Sequence, residues 1–219
     1  MSAIRFHFDF LSPYAYIAWT QIHAIADRHG RDVTPVPVLF AGLLDHHGTK
    51  GPAEIPAKRR YLYFDLVRKA RALGVPLEAP PAHPFNPLLA LRVSSLPMPA
   101  ATQRALIDRI YAAVWTEGRN IESPAVIAEL ARDAGLDRDV IAEAATPEAK
   151  VRLRAQTEQA IADGVFGVPT MIVDGEPFWG VDSLPHLEDF LAAGQPSVDA
   201  ATLARWSAMK PSATRPGGR

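Results

Sequence analysis

The residues from Ile4 to Tyr16 constrain the fold more than any other stretch. Ile4, Phe6, Phe8 and Phe10 alternate with Arg5, His7 and Asp9, the period of a β-strand. The strand is cut off at Ser12-Pro13, and a helix pattern begins at once. Proline suits the first helical position, where its missing N–H had no partner to lose, and serine suits the position before it. A hydroxyl therefore stands where free backbone N–H groups converge and the helix dipole is positive, a setting that holds an anion.

The rest of the chain supplies the partners of this unit. A helix over 13–29 ends at Gly30, and Val33 to Phe40 reads as an extended edge strand, since its prolines cannot donate to a ladder. Together these make a β-α-β unit with parallel neighbouring strands. From Ala41 to Pro56 periodicity fails, and glycines and prolines predict a loop carrying His46, His47, Thr49 and Lys50. Helices follow over 57–73, after Pro87, over 101–117, after Ser123, from Asp137 and from Thr146 to about Gly164. The period then returns to two over 165–173. Asp174-Gly175 is a hairpin signal leading to 176–180, and a packed helix over 184–193 starts at an Asp182 or Ser183 cap. Residues 199–208 suit one more short helix.

The order β-α-β, helical block, β-β-α is the thioredoxin plan. It predicts an α/β, thioredoxin-like fold with a large all-helical insertion subdomain. The expected boundaries are 1–40 and 161–200 for the thioredoxin-like part, 41–160 for the insertion, and a disordered tail over 209–219.

Composition excludes several chemistries. With no cysteine among 219 residues, disulfide exchange, thiolate metal sites and iron–sulfur clusters are ruled out. The net charge of −1 and the lack of long basic runs argue against nucleic acid and anionic membranes as partners. No apolar run reaches spanning length and no leader pattern opens the chain, so a soluble cytoplasmic protein is expected. The histidines show no metal-ligand spacing, so no metal is expected. No dinucleotide or phosphate-loop glycine motif is present.

Ser12 and Ala15 occupy the places where a thioredoxin fold carries its two active-site cysteines. A hydroxyl there cannot exchange disulfides, but it can donate to a thiolate brought in from outside. Val168-Pro169 precedes the third strand, where this fold has a cis-proline whose preceding backbone pairs with an extended peptide. Asp182 and Ser183, at the start of the last helix, suit the ammonium and carboxylate of one α-amino acid end, or are plain caps.

Four spaced motifs carry a resemblance: FDFLSPYAY at 8–16, KGPAEIPAKRRY at 50–61, PFNPLLALR at 84–92 and FGVPTMIVDGEPFWGVD at 166–182. Over residues 4 to 193 the chain resembles the 2-hydroxychromene-2-carboxylate isomerase family, grouped with kappa-class glutathione transferases and DsbA-like folds. The second and third motifs depart in detail: Asp45 and Thr49 stand where Asn or Gln is common, and Pro84 where Phe is.

The resemblance implies glutathione as the borrowed thiol, with Ser12 stabilising its thiolate. Val168, beside Pro169, would bind the cysteinyl backbone, and Asp182 and Ser183 the γ-glutamyl end. Lys50 would lie over the glycyl end or the substrate, and Asn86 would face the substrate cavity, with Tyr14 nearby. Lys50, Arg59 or Arg60 would meet a substrate carboxylate. The chemistry implied is cis–trans isomerisation of an unsaturated aromatic acid by reversible thiolate addition, in a homodimer. A kappa-like transferase and a non-catalytic peptide-binding module remain as alternatives.

Overall fold

The computed structural model describes residues 2–213. Its element order is β1 (Ile4–Phe8), α1 (Pro13–Arg28), β2 (Val33–Pro37), α2 (Phe40–His47), α3 (Pro56–Leu73), α4 (Leu88–Ser94), α5 (Ala100–Trp115), α6 (Pro124–Asp133), α7 (Val140–Ala145), α8 (Pro147–Ala162), β3 (Thr170–Val173), β4 (Glu176–Trp179), α9 (Leu184–Ala193) and α10 (Ala200–Ser207). The sheet order is β2-β1-β3-β4. β1 pairs parallel with β2 and antiparallel with β3, and β3 pairs antiparallel with β4. This is the thioredoxin-like arrangement, with the proline-rich β2 on an edge as its sequence requires.

The sheet is covered on both faces. Phe6 pairs with Met171 and Arg5 with Ile172, so alternate residues divide between two apolar clusters. The larger joins Phe6, Phe8, Met171 and Phe178 to Trp19 of α1, Leu62 and Leu66 of α3, and Leu106, Ile110 and Tyr111 of α5. Its aromatic centre includes Phe10 and Tyr111 with ring centroids 4.9 Å apart. The smaller joins Val38, Leu43, Ala160, Val165, Val168 and Ile172. Two of the three polar members of the first alternation are buried too: His7 is 1% and Asp9 0% exposed, while the Arg5 side chain stays 42% exposed beside Asp163.

Two sequence expectations need correction. The segment 41–56 is not a continuous loop. It holds α2, which ends at Gly48 in the left-handed conformation, and a single 3-10 turn over Pro52–Glu54. No side chain next to α2 in sequence caps its start. Instead the Phe40 N–H donates to Asp9 Oδ2 at 3.0 Å, and the Leu39 N–H to Thr157 Oγ1 at 3.0 Å. The second correction is that α7 starts at Val140, capped by Asp139 and not begun at Asp137, because Asp139 Oδ1 accepts the Ala142 N–H.

Other signals hold. Asp174 and Gly175 both take positive φ (51° and 87°), as a two-residue hairpin of this type demands. In the tail, residues 209–213 form no helix or strand, and 214–219 lie outside the described residues. No helix among the described residues is long and apolar enough to cross a membrane.

Thr146 caps α8, its Oγ1 accepting the Ala149 N–H at 3.3 Å. Thr146→Ala removes that acceptor and is expected to cost about 1 kcal/mol. Urea unfolding should show a lower midpoint at an unchanged slope; an unchanged midpoint would refute the cap.

Candidate active site

The turn from β1 into α1 positions Ser12. The residue is buried, 8% exposed. Its hydroxyl accepts the Ala15 N–H at 3.2 Å and donates to the Val168 carbonyl at 3.3 Å. One side chain thus caps α1 and reaches the segment before β3, where the Val168–Pro169 peptide is cis. Thr170 steadies that segment by donating to the Gly167 carbonyl at 2.7 Å. Ser12, Val168 and Pro169 are brought together as the sequence reading required.

A polar chain runs out from this point along α1, α3 and the turn before α9. Tyr14 donates its hydroxyl to Asp65 at 2.6 Å. Lys69 lies 3.5 Å from Asp65 and 2.7 Å from Asp182. Burial, then the hydrogen bond to the Asp65 carboxylate, raise the Tyr14 pKa, so the phenol stays protonated. The Asp182 hydrogen bond raises the Lys69 pKa. Asp182 itself is largely exposed, its side chain 82% accessible, so it retains room for a second cation.

Ser183 differs from expectation. It makes no side-chain cap to α9. A 3-10 turn over Val181–Ser183 precedes the helix, and the hydroxyl donates back to the Gly180 carbonyl at 2.8 Å. The turn aims the hydroxyl backward, away from the N–H groups it would have capped.

Beside Pro13 lies an apolar cavity of about 210 Å³, walled by Leu62, Leu66, Leu77, His83 and Trp115. Asn86 does not line it. Asn86 is exposed, and its Oδ1 accepts the Leu88 N–H at 3.0 Å, so its side chain is spent on starting α4. Lys50, Arg59 and Arg60 are exposed. Of these, Arg59 acts electrostatically on the cavity residue His83.

Two groups around Ser12 escaped sequence reasoning. Asp9, at the end of β1, is fully buried; its Oδ1 accepts the Leu11 N–H at 2.9 Å and its Oδ2 the Phe40 N–H. Burial pushes its pKa up to about 7, while the two backbone donors hold it back. His83 places Nε2 3.1 Å from the Leu11 carbonyl. For Asp9 a signal existed: an acid in an apolar strand, three residues before the helix cap. For His83, inside a proline-rich segment, none did.

This arrangement presents a hydroxyl, a helix N-terminus and an exposed backbone segment to one spot, without a thiol of its own. It can bind and stabilise an anion such as a thiolate, next to a cavity for an apolar group.

The profile of the DSBA-like thioredoxin domain matches residues 3–192. The 2-hydroxychromene-2-carboxylate isomerase of Pseudomonas putida is 33% identical, over 84% of this chain and 92% of the relative. The kappa 2 glutathione S-transferase of Caenorhabditis elegans is 32% identical, over 86% of this chain and 91% of its own. The solved structure of a 2-hydroxychromene-2-carboxylate isomerase superposes with a TM-score of 0.81 at 28% identity, covering 94% of this chain and 98% of that one. With the fold, the cysteine-free helix start and these relatives in agreement, the chain belongs to the DsbA-like thioredoxin family, alongside the 2-hydroxychromene-2-carboxylate isomerases and kappa-class glutathione transferases.

Proposed function

We propose that the protein is a glutathione-dependent cis–trans isomerase of unsaturated aromatic acids of the 2-hydroxychromene-2-carboxylate type. The observation that carries this reading is the meeting of the Ser12 hydroxyl with Val168 at the N-terminus of α1, in a chain without cysteine. Bound glutathione supplies a thiolate able to add reversibly to an unsaturated carbon, so that a double bond can rotate.

The chain's residues do the rest. Ser12 holds its proton on a long 3.3 Å bond to Val168, so the O–H is easily redirected to a thiolate beside it, and the helix dipole adds to that stabilisation. The Val168 backbone, next to Pro169, offers hydrogen bonds to the cysteinyl unit in strand fashion. Asp182 takes the γ-glutamyl ammonium. Lys69 offsets the charge of Asp182 and Asp65, so the site is not so acidic that it repels the carboxylate of the same unit. Ser183, its hydroxyl turned from the Gly180 carbonyl, donates to the carboxylate of that unit, and Lys50 pairs with the glycyl carboxylate. Arg59 is favoured over Arg60 for the substrate carboxylate, because it acts on His83 in the cavity wall. A cytoplasmic homodimer is part of the same proposal.

A second reading, a kappa-like transferase, is favoured by the comparable identity to the C. elegans protein and uses the same residues. Calorimetry with reduced glutathione, followed by a product assay, separates the readings. The expected result is binding, isomerised product and an undiminished glutathione pool. Consumption of glutathione by an electrophile such as 1-chloro-2,4-dinitrobenzene, without isomerisation, would favour the transferase. Absence of binding would overturn both and leave a peptide-binding module.

A further inference from the structure

The turn that carries Ser12 is held by side chains from separate elements. The Phe10 carbonyl accepts Trp115 Nε1–H at 3.0 Å. The Leu11 N–H donates to Asp9 Oδ1, the Leu11 carbonyl faces His83 Nε2 at 3.1 Å, and the Ser12 N–H donates to the Asp9 carbonyl at 3.0 Å. A carbonyl only accepts, so in the neutral imidazole the proton sits on Nε2. Nδ1 is then a bare acceptor, and it is buried without a donor. Burial, and after it the charge of Arg59, lower the His83 pKa against the opposing pull of the Leu11 carbonyl.

The ring stands edge-on to Trp115, with centroids 5.7 Å apart, and both rings wall the cavity beside Pro13. An apolar ring would fill that wall without stranding an acceptor. What histidine adds is the Nε2–H bond to the residue before Ser12.

We infer that His83 is a positioning residue for Ser12: its Nε2–H fixes the Leu11–Ser12 peptide and thereby the direction of the Ser12 hydroxyl. The inference rests on the glutathione reading only for its kinetic consequence; the bond itself can be read without it.

The matched pair is His83→Gln, whose amide nitrogen reaches the place of Nε2, and His83→Asn, whose amide falls short of it. His83→Phe keeps the ring and removes the donor. Amide hydrogen exchange at Leu11 and Ser12 should quicken about tenfold or more in the Asn and Phe variants and stay near wild type in Gln. In glutathione-dependent turnover, kcat should fall about tenfold in Asn and Phe with little change in KM, and Gln should restore most of the loss. Equal exchange and equal kcat in the Gln and Asn variants would overturn the assignment, even if His83→Phe fails to fold. If the wild-type chain binds no glutathione, the function falls while the exchange comparison still judges His83.

Discussion

Ser12→Ala is expected to cut glutathione-dependent turnover by about 10²–10³-fold, the loss typical of deleting one preorganised donor from an anion-stabilising site. The serine makes two bonds, as acceptor from Ala15 and as donor to Val168. Losing the first costs about 1 kcal/mol of stability as a lost helix cap, which leaves a folded protein to assay. Losing the second removes the hydroxyl proton that Ser12 offers to a thiolate at that helix start. Its effect should appear in two measurements. Steady-state kcat should drop, and the pH at which bound glutathione gains thiolate absorbance near 240 nm should rise relative to wild type. Unchanged kcat, with unchanged absorbance titration, would refute the role given to Ser12.

The second large effect concerns Asp9. Its pKa stands at about 7 in the folded chain against an ordinary 3.8, because the carboxyl is sealed from water. Such an acid grips its proton more tightly when folded. The stability it contributes is complete below the unfolded value and is lost as pH rises through about 7. Three pKa units correspond to about 4 kcal/mol, an upper scale for the change. His7, His23 and His83, with pKa values lowered chiefly by burial, act in the opposite direction, so the raw profile mixes the two. Comparison with Asp9→Asn isolates the carboxyl. In urea unfolding between pH 4.5 and 8.5, the stability of wild type relative to Asp9→Asn should decline toward pH 7–8 and then level. A pH-independent difference would show that Asp9 does not titrate in this range. The variant carries a fixed penalty of about 1–3 kcal/mol, since an amide can accept only one of the Leu11 and Phe40 N–H groups through its oxygen and leaves the other unmet.

The elements legible in the sequence were those whose signals are local. The Ser12-Pro13 start of α1, the Thr146-Pro147 start of α8 and the Asp174-Gly175 turn each depend on residues within a few positions, and each is formed. Ser12 and Val168 meet because the order of elements fixes β3 beside β1. What could not be read depends on distant partners. α2 looked like a loop because its start is capped by Asp9, 31 residues earlier in the chain. Its Gly42 allows close packing on α8, where a Cβ would lie 3.3 Å from Thr157 Cγ2. Asn86 looked like a cavity residue in its motif, yet its side chain serves the Leu88 N–H. His83 reaches Leu11 across 72 positions, a contact that no spacing rule encodes.

The antiparallel pairing of β1 with β3 has a consequence for how the chain is made. His7 pairs with Thr170 across 163 positions, and the whole helical block is threaded between them. During synthesis the first strand emerges well before the neighbour on its second edge, which follows only after the whole helical block has been made. Until then Phe6 and Phe8, wholly enclosed in the finished molecule, border an open row of unpaired backbone groups. Closing so long a loop is entropically slow, so the central strand stays half-paired while the helical block is synthesised. That interval is when a chaperone that shields strand edges would matter most to its yield.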